Sequence, residues 1–340
     1  MTKKIKVAVI GAGVWGTTIA GLMAEKEYDV RAWEFNKETA DFIQQNRTHP
    51  MLPFYNLPDD VRIYTDLKKA IQNPDLIIVA IDSRFIRTTI REIKKLLEGR
   101  EIPYIVALSK GIETETFKTV CQVIGEELPG AEDRIMILTG PSFAVEVAAG
   151  APTKVVLAGK NIDKVKKAAE IIDGGPLKIE ISEDRLGAEL GGSLKNAYAV
   201  GSGIIDGLSQ AAKNSEAAFL IESANELHRI ITTMGGRPET AWGLTGMGDL
   251  MLTATSAKSR NFRFGREIGK GLSPEQALKK IKTVVEGREA IKNVRALCLV
   301  NHIPSPVVDA IYGIVYENKE PVSILKAAGF SAEITNTKTI

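Results

Sequence analysis

The sequence predicts an α/β protein, a doubly wound and mostly parallel sheet domain followed by an all-helical domain. Three observations predict it. Short apolar runs alternate with helix-like stretches through the first 185 residues, a glycine-rich turn separates the first run from the first helix, and strand signals fall away after about Arg185. Size agrees, because 340 residues with 44% hydrophobic and 25% charged side chains suit two ordinary globular domains.

The apolar run 5–10 is the first strand, and 17–24 reads as the first helix. Between them lies Val9-Ile-Gly-Ala-Gly-Val-Trp-Gly16. Gly11 permits a tight turn, Gly13 lets the backbone approach a pyrophosphate, and Gly16 lets helix and strand pack closely. Around Val14 and Trp15, the free N–H groups of the new helix are placed to hold phosphates. Strand, turn and helix in this order make a Rossmann-type dinucleotide fingerprint.

Asp29-Val-Arg-Ala-Trp33 is the second strand, with Glu34 at its carboxyl end. An acidic side chain about 20 residues beyond the glycines accepts hydrogen bonds from an adenosine ribose. It also repels a 2′-phosphate, which favours NAD over NADP. The alternative is that Glu34 caps the following helix or faces water. Pro50-Met-Leu-Pro53 and Leu57-Pro58 mark an irregular loop, which either borders the active site or crosses the surface. Further buried strands are expected at 76–81, 104–108, 135–138 and 153–157, with helices over 88–97 and 115–126 between them.

Helical stretches dominate the rest: 186–208, 215–234, 273–282, 286–301 and, after Pro304-Ser-Pro306, 307–316. The expected division is a dinucleotide-binding domain over 1–185, a helical substrate domain over 186–333 and a flexible tail over 334–340. A small substrate is expected in a cleft between the two domains.

Composition excludes several classes of function. A net charge of +2 offers no electrostatic argument for nucleic acid or membrane surfaces. No apolar run is long enough to span a bilayer. Cys121 and Cys298 lie far apart without metal-ligand spacing and read as buried thiols, and the three histidines are scattered. No metal is expected. The chain enters its first strand without an apolar signal segment, so a cytoplasmic protein is expected.

Three clusters offer chemistry. Lys195 is the only charged residue in the stretch 190–205, which suggests a buried position. Burial disfavours the charged form of a lysine, which suits proton exchange near neutral pH. The alternative is a side chain that snorkels to water. Gly191 and Gly192 permit close backbone approach, and Asn196 is placed to tie helix ends or a ligand. The second cluster is Gly246-Met-Gly-Asp-Leu-Met-Leu-Thr253 with Ser259-Arg-Asn-Phe-Arg-Phe-Gly265. There Asp249 stands near a helix start, and Arg260 offers a planar fork of donors to phosphate beside Ser259 and Asn261. Arg263 and Arg266 either continue a basic stripe or line a solvated face. In the third, Ser109-Lys-Gly111 and Gly140-Pro-Ser-Phe-Ala144 each follow a strand, at the edge where doubly wound sheets bind ligands. Lys110 brings positive charge to a substrate oxygen or phosphate, while Gly140 and Ser142 add donors.

With these clusters in order, the chain resembles the bacterial-type NAD(P)-dependent glycerol-3-phosphate dehydrogenase family nearly end to end. The resemblance rests on Ile10-Gly-Ala-Gly13, Ser109-Lys-Gly-Ile112, Gly140-Pro-Ser-Phe-Ala144, Gly191-Gly-Ser-Leu-Lys-Asn196, Gly246-Met-Gly-Asp-Leu250, Ser259-Arg-Asn261 and Val284-Val-Glu-Gly287. It implies reversible reduction of dihydroxyacetone phosphate to sn-glycerol 3-phosphate for glycerophospholipid synthesis. It further implies that Lys195 donates the proton to the carbonyl oxygen during reduction and acts as the base during oxidation, with Asp249 as a second catalytic residue. Lys110, Gly140, Ser142, Asp249, Ser259, Arg260 and Asn261 would surround the substrate. Trp15, Lys110, Ala144, Arg260 and Glu286 would touch the cofactor. Family members often dimerise, though nothing in this chain fixes a surface for it.

The chain departs from the family pattern in three places. Ile221-Glu-Ser223 stands where Thr-Arg-Gly is usual, Asp82-Ser-Arg84 where Pro-Ser is usual, and Ala254 where a cysteine is usual. Two other readings share the fold. One is a related dehydrogenase acting on another small phosphorylated, hydroxy-acid or keto-acid substrate. The other is an NAD-binding sensor without catalysis, against which the joint retention of Lys195, Asp249 and Arg260 argues.

Overall fold

A computed structural model describes residues 4–208 and 213–331. The tail expected over 334–340 lies outside the described residues. The chain forms two compact units, one from Met1–Lys110 and Lys118–Arg185, the other from Gly111–Phe117 and Leu186–Ile340.

The first unit is built on eight strands: β1 Lys6–Ile10, β2 Asp29–Trp33, β3 Arg62–Tyr64, β4 Leu76–Val79, β5 Tyr104–Ala107, β6 Ile135–Thr139, β7 Thr153–Gly159 and β8 Leu177–Ser182. Their order across the sheet is β3-β2-β1-β4-β5-β6-β7-β8. Neighbours are parallel except at β6–β7, where Leu138 pairs with Leu157 in antiparallel register. The order reverses at β1, so the loops after β1 and β4 diverge and leave a crevice at their carboxyl ends. β1 and β4 are buried on both faces, which is why they read as unbroken apolar runs. On one face Val7, Val9 and Ile78 pack with Ile19 and Met23 of the helix Val14–Glu25.

Two strands escaped expectation. β3 has only three residues. β8, at the opposite edge, alternates Leu177, Ile179 and Ile181 with Lys178, Glu180 and Ser182. That is the period of a half-covered strand rather than an apolar run. The helix expected over 115–126 in fact starts at Val120, because Thr119 and Gln122 form a reciprocal capping box there. Just before it, Phe117 takes a left-handed conformation with φ 56°, which no helix continues through.

In the helical unit, the long helix Arg185–Gly207 is central, and 190–205 are buried throughout. Around it stand Lys213–Thr233, Pro238–Trp242, Asp249–Ala254, Arg260–Gly269, Pro274–Ile281, Glu286–Val300 and Pro306–Glu317. Leu194, Tyr198, Phe219, Leu227, Phe264, Ile291 and Ile311 form its core. The helices Arg185–Gly207 and Arg260–Gly269 approach until their backbones touch. A Cβ on Gly203 would lie 2.0 Å from the Phe262 carbonyl oxygen, and one on Gly265 only 1.9 Å from that of Val200. Gly207 and Gly269 repeat the arrangement one turn along each helix. This crossing carries Ser259-Arg-Asn261, at the start of one helix, toward Lys195 on the other.

One short segment departs from a simple N-to-C division. Gly111–Phe117 packs with the helical unit although the residues on either side belong to the sheet. The Gly111 N–H donates to Ser193 Oγ at 2.9 Å, and Asn293 Nδ2 donates to the Ile112 carbonyl at 2.8 Å. Ile112 itself is buried in the helical core.

Candidate active site

In the sheet unit, the glycine turn follows β1. Gly11 has φ 97°, and its N–H donates to the Trp33 carbonyl at 2.9 Å. A Cβ on Gly16 would overlap the Gly11 carbonyl oxygen at 1.8 Å, so this glycine serves close packing. Gly13 differs, since a Cβ there would meet nothing within 4 Å. Gly13 also N-caps the helix Val14–Glu25 without any side-chain cap, and no acidic residue occupies the first turn. Open space above uncapped N–H groups suits a pyrophosphate.

Glu34 extends from the end of β2, its own N–H donating to the Tyr64 carbonyl at 2.8 Å. Its two carboxylate oxygens accept from the N–H groups of Ala12 and Asn36, each at 3.0 Å. The helix cap itself is Asn36, whose side chain accepts from Thr39 N–H at 2.8 Å. Glu34 is therefore fixed against the glycine turn, with lone pairs left on each oxygen. Two aromatic rings missed by the sequence reading stand at the same edge: Phe35 after β2 is 83% exposed and Phe85 after β4 is 56% exposed. Exposed rings beside a charged residue in a turn were the available signal.

Asp82 is compensated within its own loop. Its carboxylate accepts from the Arg84 backbone N–H at 3.0 Å and from the Arg84 guanidinium at 3.0 and 2.8 Å. These bonds hold the Asp82 carboxyl below its ordinary range. Lys110 follows β5 and is half-buried, and the Gly140 loop follows the neighbouring parallel strand β6. Gly140 has φ 138°, Ser142 Oγ donates to its carbonyl at 3.0 Å, and Ala144 opens the short helix Ala144–Ala148.

The helical unit joins most of the remaining candidates. Lys195 is 7% exposed and its Nζ is hydrogen-bonded to Oδ1 of Asp249, which is fully buried. Asp249 opens the helix Asp249–Ala254, where the helix dipole favours a carboxylate. A Cβ on Gly191 would lie 2.4 Å from the Thr245 carbonyl oxygen, so this glycine lets the turn before Asp249 press against the lysine helix. Asn196 Oδ1 accepts from Asn261 Nδ2 at 2.9 Å, and Asn261 Oδ1 accepts from Gly287 N–H at 2.9 Å. Glu286 stands next to that glycine, 3.5 Å from both Asn196 Nδ2 and Arg260 Nη2. Ser259 caps the helix Arg260–Gly269, its Oγ accepting from Phe262 N–H at 3.2 Å. Arg263 is exposed and Arg266 pairs with Asp206 at 2.9 Å, so neither joins this network.

Thr253, one turn beyond Asp249, was overlooked. It is 4% exposed, and among the described residues its Oγ1 has no hydrogen-bond partner. The only signal was its i,i+4 spacing from Asp249. Glu222, the acidic departure, is exposed on the helix Lys213–Thr233. At Ala254 the backbone carbonyl accepts from Ser202 Oγ at 2.7 Å.

A crevice for a dinucleotide in one unit and a buried lysine–carboxylate pair in the other define a nicotinamide-dependent dehydrogenase. Residues 6–165 match the NAD-dependent glycerol-3-phosphate dehydrogenase N-terminus, and residues 184–326 match the C-terminus of the same family. A glycerol-3-phosphate dehydrogenase [NAD(P)+] of Thermoanaerobacter sp. is 37% identical over 93% of this chain and 94% of that one. Its counterpart in Bacillus pumilus is 36% identical over 93% and 91%. The crystal structure of glycerol-3-phosphate dehydrogenase from Coxiella burnetii superposes with a TM-score of 0.88 at 32% identity, covering 95% of this chain and 98% of that chain. D-mandelate dehydrogenase, at 15% identity and a TM-score of 0.61 with coverage of 96% and 100%, shares the fold alone. The chain belongs to the NAD-dependent glycerol-3-phosphate dehydrogenase family.

Proposed function

We propose that this chain reversibly reduces dihydroxyacetone phosphate to sn-glycerol 3-phosphate with NADH, supplying glycerophospholipid synthesis. The observation that carries the reading is the buried pair Lys195–Asp249. An ammonium held by a carboxylate is positioned to exchange a proton with a substrate oxygen.

The chemistry required of the bound dinucleotide is delivery of hydride to the substrate's carbonyl carbon. Lys195 then gives a proton to the oxygen as negative charge develops on it, and in the reverse direction takes the proton back. Asp249 holds Nζ in place, and the Thr253 hydroxyl, one turn away, supplies a further polar group for the proton's path. Arg260 binds the substrate phosphate and the cofactor, steadied by Glu286, while Asn261 is locked by Asn196 and Gly287 and presents no loose rotamer. Lys110, Gly140, Ser142 and Ser259 complete the substrate shell. Gly11, Gly13, Val14, Trp15, Gly16, Glu34, Lys110, Ala144 and Glu286 hold the dinucleotide, with Phe35 and Phe85 offering apolar faces to its adenine.

The reading places the enzyme in the cytoplasm, supported by the buried and unbridged Cys121 and Cys298. No described helix is long and apolar enough to cross a membrane. It also includes a homodimer, for which the half-exposed Ile221, Trp242 and Met251 supply apolar surface. The test follows NADH absorbance with dihydroxyacetone phosphate, with unphosphorylated dihydroxyacetone and NADPH in parallel. Turnover that requires the phosphate and favours NADH is expected. Binding of NADH without turnover of the phosphorylated ketone overturns the reading.

A further inference from the structure

Two hydrogen bonds, one part-buried and one buried, hold the chain just after Lys110, at the Gly111 N–H and at the Ile112 carbonyl. Ser193 is 4% exposed and lies on the helix that carries Lys195, two residues before it. Asn293 is 9% exposed on the helix that begins with Glu286. A buried amide side chain on a helix face otherwise formed by Ile291, Val294, Leu297 and Cys298 needs a reason. Here the Asn293 amide donates to the Ile112 carbonyl at 2.8 Å, 181 residues away in sequence. The neighbouring Gly111, at φ 146°, is turned so that its N–H reaches Ser193 Oγ.

We infer that Ser193 and Asn293 are positioning residues for Lys110, anchoring the peptide that joins it to Gly111 and the peptide that follows Ile112. The inference rests on the reading of Lys110 as a substrate contact. Consecutive Cα atoms are about 3.8 Å apart, so an anchored Gly111 leaves Lys110 little freedom of backbone placement. The anchor is built from the helix of the proton donor and the helix of Glu286. A shift in either helix is therefore passed to the chain on the carboxyl side of Lys110. Neither Ser193 nor Asn293 needs to touch substrate to act in this way.

The test uses the full chain with Ser193→Ala, Asn293→Leu and Lys110→Met, singly and in pairs. Ser193→Ala and Asn293→Leu are each expected to raise the KM for dihydroxyacetone phosphate about tenfold, and to move the KM for NADH no further than Lys110→Met does. In the Lys110→Met background the same changes should have no further effect on that KM. Hydrogen exchange supplies an independent readout, because the Gly111 amide should lose protection in Ser193→Ala.

Lys110→Met raising the KM while the other two leave it alone overturns the inference and spares the reading of Lys110. Additive effects in the double variants, or a loss for NADH beyond that of Lys110→Met, assign the two residues a merely structural role. Lys110→Met without effect on the KM removes Lys110 from the substrate shell and the inference with it. Should Asn293→Leu fold poorly, the Ser193→Ala pair with Lys110→Met decides alone.

Discussion

Lys195 and Asp249 meet as a buried ion pair across 54 residues of sequence. Both side chains are buried, so the pair compensates charge that bulk water reaches poorly. Lys195→Met should lower kcat by about 100- to 10,000-fold, the usual worth of a positioned proton donor. It should also cost about 3–5 kcal/mol of stability, because the buried Asp249 loses its lysine partner. Steady-state kinetics with urea unfolding separates the two effects. Turnover that survives the substitution rejects the mechanism.

Glu34→Ala should relax discrimination against NADPH by about tenfold or more, corresponding to about 1.4 kcal/mol of removed repulsion. The readout is the ratio of kcat/KM for the two cofactors. NADH should also bind less well, since the carboxylate supports the Ala12 N–H in the glycine turn. An unchanged ratio takes Glu34 out of the ribose site.

Gly13 and Gly16 should respond in opposite ways to the same methyl group. Gly13→Ala meets open space, so the melting temperature should hold while NADH affinity falls. Gly16→Ala drives Cβ into the Gly11 carbonyl, and should cost about 1–3 kcal/mol or more in the absence of cofactor. Calorimetry with and without NADH distinguishes them. Equal destabilisation by both would contradict the open space above Gly13.

Glu226 gives the protein a pH dependence that the reaction does not require. Its carboxylate is 1% exposed and accepts from the N–H groups of Val307 and Val308 at 2.7 and 3.0 Å, at the start of the helix Pro306–Glu317. Burial pushes its pKa up to about 7 from 4.5. The folded state therefore binds a proton that the unfolded state has released between those values, and stability falls as pH rises through that window. The displacement corresponds to about 3 kcal/mol, fully lost above pH 7. Glu226→Gln should flatten the unfolding free energy between about pH 4.5 and 7. A wild-type profile that rises across this window refutes the argument.

Much of the sheet unit was legible because its signals are local. The glycines of the first turn, the Glu34 position and the continuous apolar runs of β1 and β4 each follow from a few consecutive residues. β8 was legible too, but only to a search for alternation. A helix start near Asp249 was legible, but the helix Arg260–Gly269 was not picked out as an element, since it is rich in arginine and interrupted by glycine. Those glycines make sense only beside Gly203 and Gly207 of the other helix. Arg266, which continues the basic stripe in sequence, is paired with Asp206 by the same crossing.

By itself the sequence determined the class of fold and the glycine turn, and it singled out the residues proposed here for proton exchange and phosphate binding. Only the tertiary structure decided which of these groups meet. Asn261 and Asn196 join across 65 residues, and Asn293 reaches Ile112 across 181. Local patterns arise from steric and hydrogen-bonding limits within one or two turns of chain. The meeting of distant polar groups depends instead on how whole helices pack, and at the Gly203–Gly265 crossing that packing is governed by backbone contact.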